Sequence, residues 1–189
     1  MRSVEAGRPL DLKERGELHE DTVVVTVMTN LGFRLAMRAQ GVNVVETAVG
    51  DRYVLAALDA GHYSLGGEQS GHVILRDKAT TGDGLLTGLL LADTVSRRGR
   101  SLADLASVMA SLPQVLLNVR LAERRPDLLD RLSADIAEAE GALGDTGRVL
   151  VRPSGTEPVV RVMVEAPTAD EASAVARRLV AAVERVGAA

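Results

Sequence analysis

A run of β-branched residues, "TVVVTVM" at positions 22–28, is the feature that most constrains the fold. Continuous residues of this kind favour a strand that is buried on both faces of a sheet. Asn30 is a predicted N-cap for a helix over 31–40, and "VNVVE" at 42–46 has the composition of a second strand. Strand, helix and strand in this order predict a right-handed βαβ unit with parallel strands.

Turn residues and hydrophobic periodicity predict the elements that follow. Asp51 is placed as the N-cap of a helix through Leu58, and two amphipathic helices are predicted at 82–99 and 101–109. After Pro113 the pattern changes. It predicts strands at 114–121, 148–152 and 159–165, and helices at 127–141 and 168–186.

These elements define an α/β fold class with two domains. A βαβ-containing mixed α/β domain is predicted at 21–112. A small α+β domain, with an antiparallel sheet covered by helices, is predicted at 113–189. Residues 1–20 are polar and lead abruptly into the first strand, so we interpret them as the remnant of a preceding domain or as a linker.

Composition excludes several classes of partner. Hydrophobic residues make up 46% of the chain and aromatic residues only 2%, which predicts an aliphatic core and argues against base stacking. The net charge is -4 with dispersed Lys and Arg, so we expect no nucleic-acid partner. The sequence has no long apolar run and no cysteine, and we therefore expect no membrane partner and a cytoplasmic location.

The stretch "YSLGGEQSGHVIL" at 63–75 combines polar side chains with glycines. It is not a phosphate loop of the G-x-x-x-x-G-K-[ST] type, because His72 and Val73 stand where Lys and Ser or Thr are needed. It is not a nucleophile elbow, because Glu68 lies two residues before Ser70. What remains is either a loop that binds sugar hydroxyls and approaches its ligand closely through glycine, or a simple polar hairpin turn.

A second polar stretch is "RPSGTEPVVRVMVE" at 152–165. Ser154 and Glu157 could form a helix capping box, but Pro158 and the alternating β-branched residues after it favour a strand. The loop is then free to bind a phosphate monoester through guanidinium, hydroxyl and backbone N–H donors. The candidate phosphate ligands are Arg152, Ser154, Gly155, Thr156 and Arg161.

The segment "AVGDRYV" at 48–54 also has two interpretations. In the simpler one, Asp51 is an N-cap and Arg52 a surface charge; in the other, the helix N-terminus faces a ligand. The histidines lack metal-ligand spacing and the aspartates do not cluster, so no metal site is predicted in this chain.

Together, "VGDRYV", "GGEQSGH" and "RPSGTEPVVRVM" resemble the α-D-phosphohexomutase family, and within it the bacterial phosphoglucosamine mutase branch. "TVMTNLG" and "ATTGDG" are similar to the same branch, and the resemblance runs from about residue 10 to the C-terminus. It implies the interconversion of glucosamine 6-phosphate and glucosamine 1-phosphate through a bisphosphate, with a phosphoserine and a bound magnesium, for cell-wall precursor synthesis. A phosphomannomutase or phosphoglucomutase is the alternative within the family.

The resemblance also implies residue roles. Glu68 and Ser70 would bind the sugar hydroxyls, and His72 would be a candidate proton-transfer group near the reacting centre. Asp51 and Arg52 would lie in a hinge-side loop that faces the sugar. The five candidate phosphate ligands would hold the non-reacting phosphate of a hexosamine phosphate.

One departure from the family is large. The family has four domains, and these 189 residues resemble the last two, without its Ser-His-Asn phosphoserine motif or its Asp-Gly-Asp-Gly-Asp-Arg metal loop. We therefore expect no magnesium bound by this chain and no mutase activity from it alone, with the missing half as a candidate partner chain. A non-catalytic phosphosugar-binding module and a poorly folded remnant are the other hypotheses.

Overall fold

A computed structural model describes residues 7–154 and 156–188, and the chain divides between Ser111 and Leu112 into two compact units. The helices of the first unit are α1 (Gly7–Glu14), α2 (Leu31–Ala39), α3 (Asp51–Gly61), α4 (Gly84–Arg98) and α5 (Leu102–Ala106). Its strands are β1 (Thr22–Thr26), β2 (Asn43–Thr47), β3 (Leu65–Gly67) and β4 (Val73–Leu75). The second unit contains β5 (Gln114–Arg120), α6 (Leu128–Arg131), α7 (Ser133–Leu143), β6 (Arg148–Pro153), β7 (Val159–Glu165) and α8 (Ala169–Ala188).

The first sheet is built around β1. Its strand order is β2-β1-β3-β4, in which β2 and β3 both run parallel to β1 and β4 runs antiparallel to β3. Every residue of β1 is buried. The β-branched run therefore forms the central strand that its composition predicts.

Apolar clusters cover β1 on both faces. Val23 and Val25 pack in one cluster with Phe33 of α2, while Val24 packs in another with Val54 of α3. Alternate side chains of a strand point to opposite faces, so α2 and α3 lie on opposite sides of the sheet. This two-sided burial is typical of parallel sheets in α/β folds.

A buried carboxylate joins α1 to α4. Asp11 is 1% exposed, and its Oδ2 accepts hydrogen bonds from Arg8 at 3.1 Å and from Arg97 at 3.0 Å. Arg98 Nε donates to Oδ1 at 3.0 Å, and Thr94 Oγ1 lies 2.9 Å from Arg8 Nη1. Burial favours the neutral acid, but the arginine hydrogen bonds outweigh it and hold the pKa of Asp11 below its ordinary value.

The second sheet is antiparallel, with the order β5-β7-β6. Val160, Val162 and Val164 of β7 lie in one apolar cluster with Ala176 and Val183 of α8, so one face of the sheet is covered by helices. This unit has the α+β architecture that the strand and helix pattern predicts, and the predicted fold class is confirmed.

Several predicted boundaries are wrong. Asp51 is not an N-cap: it is the first residue of α3, Gly50 occupies the cap position, and the helix continues to Gly61 rather than ending at Leu58. Asp51 Oδ1 instead accepts a hydrogen bond from the backbone N–H of Arg52 at 2.7 Å. The helix predicted at 127–141 is the pair α6 and α7, and the helix predicted at 101–109 is the shorter α5.

The described part of segment 1–20 packs on the first unit. Leu12 of α1 and Leu18 lie in the same apolar cluster as Val23 and Phe33. The domain limits at 20 and 112, and the origin of this segment, stay predictions. Among the described residues, no helix is both long and apolar enough to cross a membrane.

We expect Asp11→Asn to destabilise the folded chain by about 3 kcal/mol at pH 7, because the substitution leaves Arg8, which is 4% exposed, without its counter-charge. Urea unfolding followed by circular dichroism measures this loss. The pKa of Asp11 is lowered in the folded chain from an ordinary value of 3.8, so its stabilisation is present above that pH. The difference in the free energy of unfolding between wild type and variant should therefore decrease as the pH falls below about 4.

Asp93→Asn is the matched control, because Asp93 is exposed and its carboxylate binds Arg97 on the helix surface. A surface pair of this kind contributes less than about 1 kcal/mol. Equal losses in the two variants, or a gap for Asp11→Asn that stays constant down to about pH 3, would contradict the prediction.

Candidate functional site

Three loops follow the carboxyl ends of the three parallel strands. They are residues 27–30 after β1, 48–50 after β2 and 68–72 after β3. Because the strands are parallel, these ends meet at one edge of the sheet, where α/β folds commonly bind ligands. The stretch that contains Glu68 lies at this edge.

A direct hydrogen bond joins two of these loops. The backbone N–H of Gly50 donates to Glu68 Oε1 at 2.9 Å. Gly50 has a φ of 131°, which disfavours other residues. Within the described residues, Glu68 Oε2 accepts no hydrogen bond. One oxygen of this partly buried carboxylate is therefore anchored, and the other is available to a ligand.

Residues 68–72 form a hairpin loop between β3 and β4. The backbone N–H of Glu68 donates to the carbonyl of His72 at 2.9 Å, and Gly71 has a φ of 99°. Ser70 Oγ lies 3.0 Å from His72 Nδ1, and both side chains are exposed. The hairpin interpretation is thus correct for the backbone, while the side chains remain accessible to a ligand.

Gly66, one of the glycines of the stretch at 63–75, is constrained by packing inside the first unit. It is buried in β3, and a Cβ at this position would lie 2.6 Å from Val54 Cγ1 and 3.1 Å from the carbonyl oxygen of Val24. Glycine is needed here because α3 packs closely against the sheet.

Asp51 and Arg52 lie at the start of α3, directly after Gly50. Both are exposed, and the Arg52 guanidinium lies over the ring of Tyr53 with 4.5 Å to the centroid. Arg52 also donates to the Tyr53 hydroxyl. The two residues are therefore beside the Gly50–Glu68 contact, with Arg52 held by its neighbour.

The second polar stretch forms the hairpin loop between β6 and β7. Ser154 Oγ accepts hydrogen bonds from the backbone N–H groups of Thr156 at 3.4 Å and Glu157 at 3.3 Å. Ser154 N–H donates to the carbonyl of Val159 at 2.7 Å, which closes the loop. Thr156 is exposed, and Gly155 lies outside the described residues.

Arg152 and Arg161 are direct cross-strand partners at the base of this loop. Both are partly buried, and neither side chain makes a hydrogen bond or ion pair with any residue that the structure describes. Like charges placed directly opposite each other destabilise a sheet. Two arginines at directly opposed positions, without a carboxylate partner among the described residues, are suited to binding a dianion such as a phosphate monoester.

A cavity of about 410 Å³ lies beside the same loop and is lined in part by Ser154, Glu157 and Arg125. Arg125 Nε is buried without a hydrogen bond in the described part of the chain, although Glu123 lies 3.8 Å away. No sequence motif marks this cavity, because Arg125 comes from the loop after β5, distant along the chain from Ser154.

The structure brings together some of the predicted site residues within each unit. Glu68, Ser70 and His72 share one hairpin, and Glu68 contacts the loop that carries Asp51 and Arg52. Sequence reasoning missed Gly50 as the anchor of Glu68. The sequence predicted parallel strands at β1 and β2 but no strand at β3, so the predicted elements did not place the loop of Glu68 at the same edge as Gly50. Across residues 7–154 and 156–188, no three histidine or acidic side chains form a cluster that could hold a metal ion.

Two family models match the chain. "Phosphoglucomutase/phosphomannomutase, alpha/beta/alpha domain III" matches residues 10–112, and "Phosphoglucomutase/phosphomannomutase, C-terminal domain" matches residues 116–182. Together they cover most of the chain.

Curated relatives agree with these matches. A phosphoglucosamine mutase of Thermobifida fusca is 61% identical over 171 residues, which cover 90% of this chain and 38% of the relative. One of Streptomyces avermitilis is 60% identical over 176 residues, which cover 93% of this chain and 39% of the relative. The chain thus spans about two fifths of the length of these relatives.

Solved structures share the fold. An N-acetylphosphoglucosamine mutase of Aspergillus fumigatus, solved with GlcNAc-6P and magnesium, matches with a TM-score of 0.77 and 21% identity over 98% of this chain and 43% of its own. A phosphoglucomutase/phosphomannomutase family protein of Burkholderia thailandensis matches with a TM-score of 0.71 and 23% identity over 96% and 42%. The two family models and the curated relatives confirm the resemblance of the sequence motifs: the chain belongs to the phosphoglucomutase/phosphomannomutase family.

Proposed function

We propose that this chain forms the hexosamine-phosphate-binding part of a phosphoglucosamine mutase, which interconverts glucosamine 6-phosphate and glucosamine 1-phosphate. The observation that carries the proposal is the pair Arg152 and Arg161, adjacent in the sheet and without an acidic partner among the described residues. The names of relatives about 60% identical to the chain support the choice of glucosamine over mannose or glucose.

The phosphate would be held at the β6–β7 loop. Arg152 and Arg161 would donate charge-assisted hydrogen bonds to its oxygens, each contributing about 1.5–3 kcal/mol. Ser154, Gly155 and Thr156 would add hydroxyl and backbone donors. The internal bonds of Ser154 Oγ shape this loop, so its hydroxyl hydrogen is left to donate to a phosphate oxygen.

The sugar hydroxyls would be held at the β3–β4 hairpin. Glu68 would accept hydroxyl hydrogens on Oε2, while its bond from Gly50 keeps the carboxylate oriented. Ser70 would bind a second hydroxyl, and His72, with Nδ1 next to Ser70 Oγ, would present Nε2 for proton transfer. Asp51 and Arg52 would face the sugar from the start of α3.

Two catalytic parts would come from outside these 189 residues. The sequence has neither the Ser-His-Asn phosphoserine motif nor the Asp-Gly-Asp-Gly-Asp-Arg metal loop, and the described acidic residues do not fit a magnesium site. In the proposed enzyme, the missing metal loop would hold magnesium, which would neutralise charge on the transferred phosphoryl group. A further segment or a partner chain of the cytoplasm would supply both parts.

We expect Arg161→Ala to weaken the binding of glucosamine 6-phosphate and of inorganic phosphate by at least about tenfold, because each ligand loses a charge-assisted hydrogen bond from the guanidinium group. Titration calorimetry on the 189-residue chain measures both. Arg177→Ala is the matched control, since Arg177 is exposed on α8 and makes no ion pair within the described residues. Unchanged binding by Arg161→Ala, or an equal loss in the control, would count against the proposal.

We expect Glu68→Gln to weaken the binding of glucosamine 6-phosphate by about tenfold and to leave the binding of inorganic phosphate unchanged. In the proposed site, the Glu68 carboxylate contacts the sugar hydroxyls and not the phosphate. The new amide keeps an oxygen for the Gly50 N–H, so the loop should stay folded. Glu184→Gln, an exposed change on α8, controls for the lost charge. A comparable loss for phosphate would refute the assignment of Glu68 to the sugar.

We expect the purified chain alone to form no glucosamine 1-phosphate above background in a coupled assay. Phosphoryl transfer depends on positioned donor and charge-stabilising groups, and enzymes accelerate it by up to about 10²¹. The phosphoglucosamine mutase of Thermobifida fusca serves as the positive control. Turnover by the chain alone contradicts the prediction, and binding without turnover when a donor segment is added would favour the non-catalytic binding module.

A further inference from the structure

The face of the second sheet that lies away from α8 carries a polar row across three strands. Arg161 of β7 is paired with Arg152 of β6 on one side and with Asn118 of β5 on the other. Val119, the neighbour of Asn118, lies in the helix-facing apolar cluster, so Asn118 points to the opposite face. Directly opposed residues have Cβ atoms about 5 Å apart, which puts Asn118 and Arg152 each within reach of Arg161.

In a second polar row on the same face, an arginine and a carboxylate neutralise each other. Four residues along β7, Glu165 is 0% exposed and lies between Arg148 and Gln114 in the register. Its carboxylate accepts hydrogen bonds from Arg148 Nε at 2.7 Å and from Gln114 Nε2 at 2.7 Å. This row satisfies its charge and its amide within the protein.

The row at Arg161 has the same outline but an arginine at its centre. An arginine and an amide flank the central residue in both rows, yet Arg161 replaces the carboxylate, and no described acid compensates the two positive charges. Asn118 is exposed, and its amide makes no hydrogen bond within the described residues. An anion at this row would complete it as Glu165 completes the other.

We propose that Asn118 is a further phosphate-binding residue, whose amide N–H donates to a phosphate oxygen that Arg161 also binds. The inference rests on the proposed function, because it assigns the anion of the row to the substrate phosphate. An amide adds a donor without adding a third positive charge beside Arg161, so the chain gains a hydrogen bond at no cost in repulsion.

The test is titration calorimetry of the 189-residue chain with inorganic phosphate and with glucosamine 6-phosphate. Asn118→Ala should weaken both by about tenfold, since it removes a hydrogen bond to a charged group. Asn118→Asp keeps the size of the side chain and adds a negative charge that repels phosphate, so it should reduce the affinity more than Asn118→Ala does. Leu116→Asp places the same charge two residues away on the same face and should cost less than about threefold.

The possible outcomes distinguish a failure of the Asn118 assignment from a failure of the proposed function. If Arg161→Ala weakens phosphate binding while both Asn118 variants stay within about twofold of wild type, Asn118 is not a ligand and the proposed function stands. If wild type binds neither compound, the proposed function fails and the inference with it. Equal losses in Asn118→Asp and Leu116→Asp also overturn the inference. Circular dichroism and urea midpoints equal to wild type show that each variant is folded.

Discussion

The parallel pairing of β1 with both β2 and β3 is the constraint on which the first unit depends. It makes β1 an interior strand, whose two faces α2 and α3 cover from opposite sides, and it brings the loops after three strands to one edge. The Gly50–Glu68 hydrogen bond exists because of this pairing, since the two residues lie in loops that share this edge. Packing of α3 then requires glycine at position 66.

Some charged side chains of this protein are paired with opposite charges, and others are not. Asp11 with its arginines, and Glu165 with Arg148, are buried groups whose charges are compensated within the chain, and they stabilise folded structure. Arg152 and Arg161 are left without acidic partners among the described residues. Like charges of this kind cost the sheet stability, and this cost is the physical reason for the proposal that the two arginines bind an anion.

Sequence reasoning was most successful where local chemistry dominates. The β-branched run, the Asn30 cap, which accepts from Gly32 N–H, and the strand after Pro158 were all predicted correctly. It failed at Asp51, where Gly50 with its positive φ takes the cap position. It also did not predict the packing role of Gly66, because nothing local reveals that Val54, from a helix packed on the sheet, fills the space beside it.

The sequence by itself determined the fold class, the family and the residue types of two candidate loops, because periodicity and motif spacing are written along the chain. Only the tertiary structure decided which oxygen of Glu68 is anchored, that Arg152 and Arg161 are neighbours, and that Asn118 lies in their row. These facts depend on strand register, which pairs residues far apart in sequence and which no single stretch encodes.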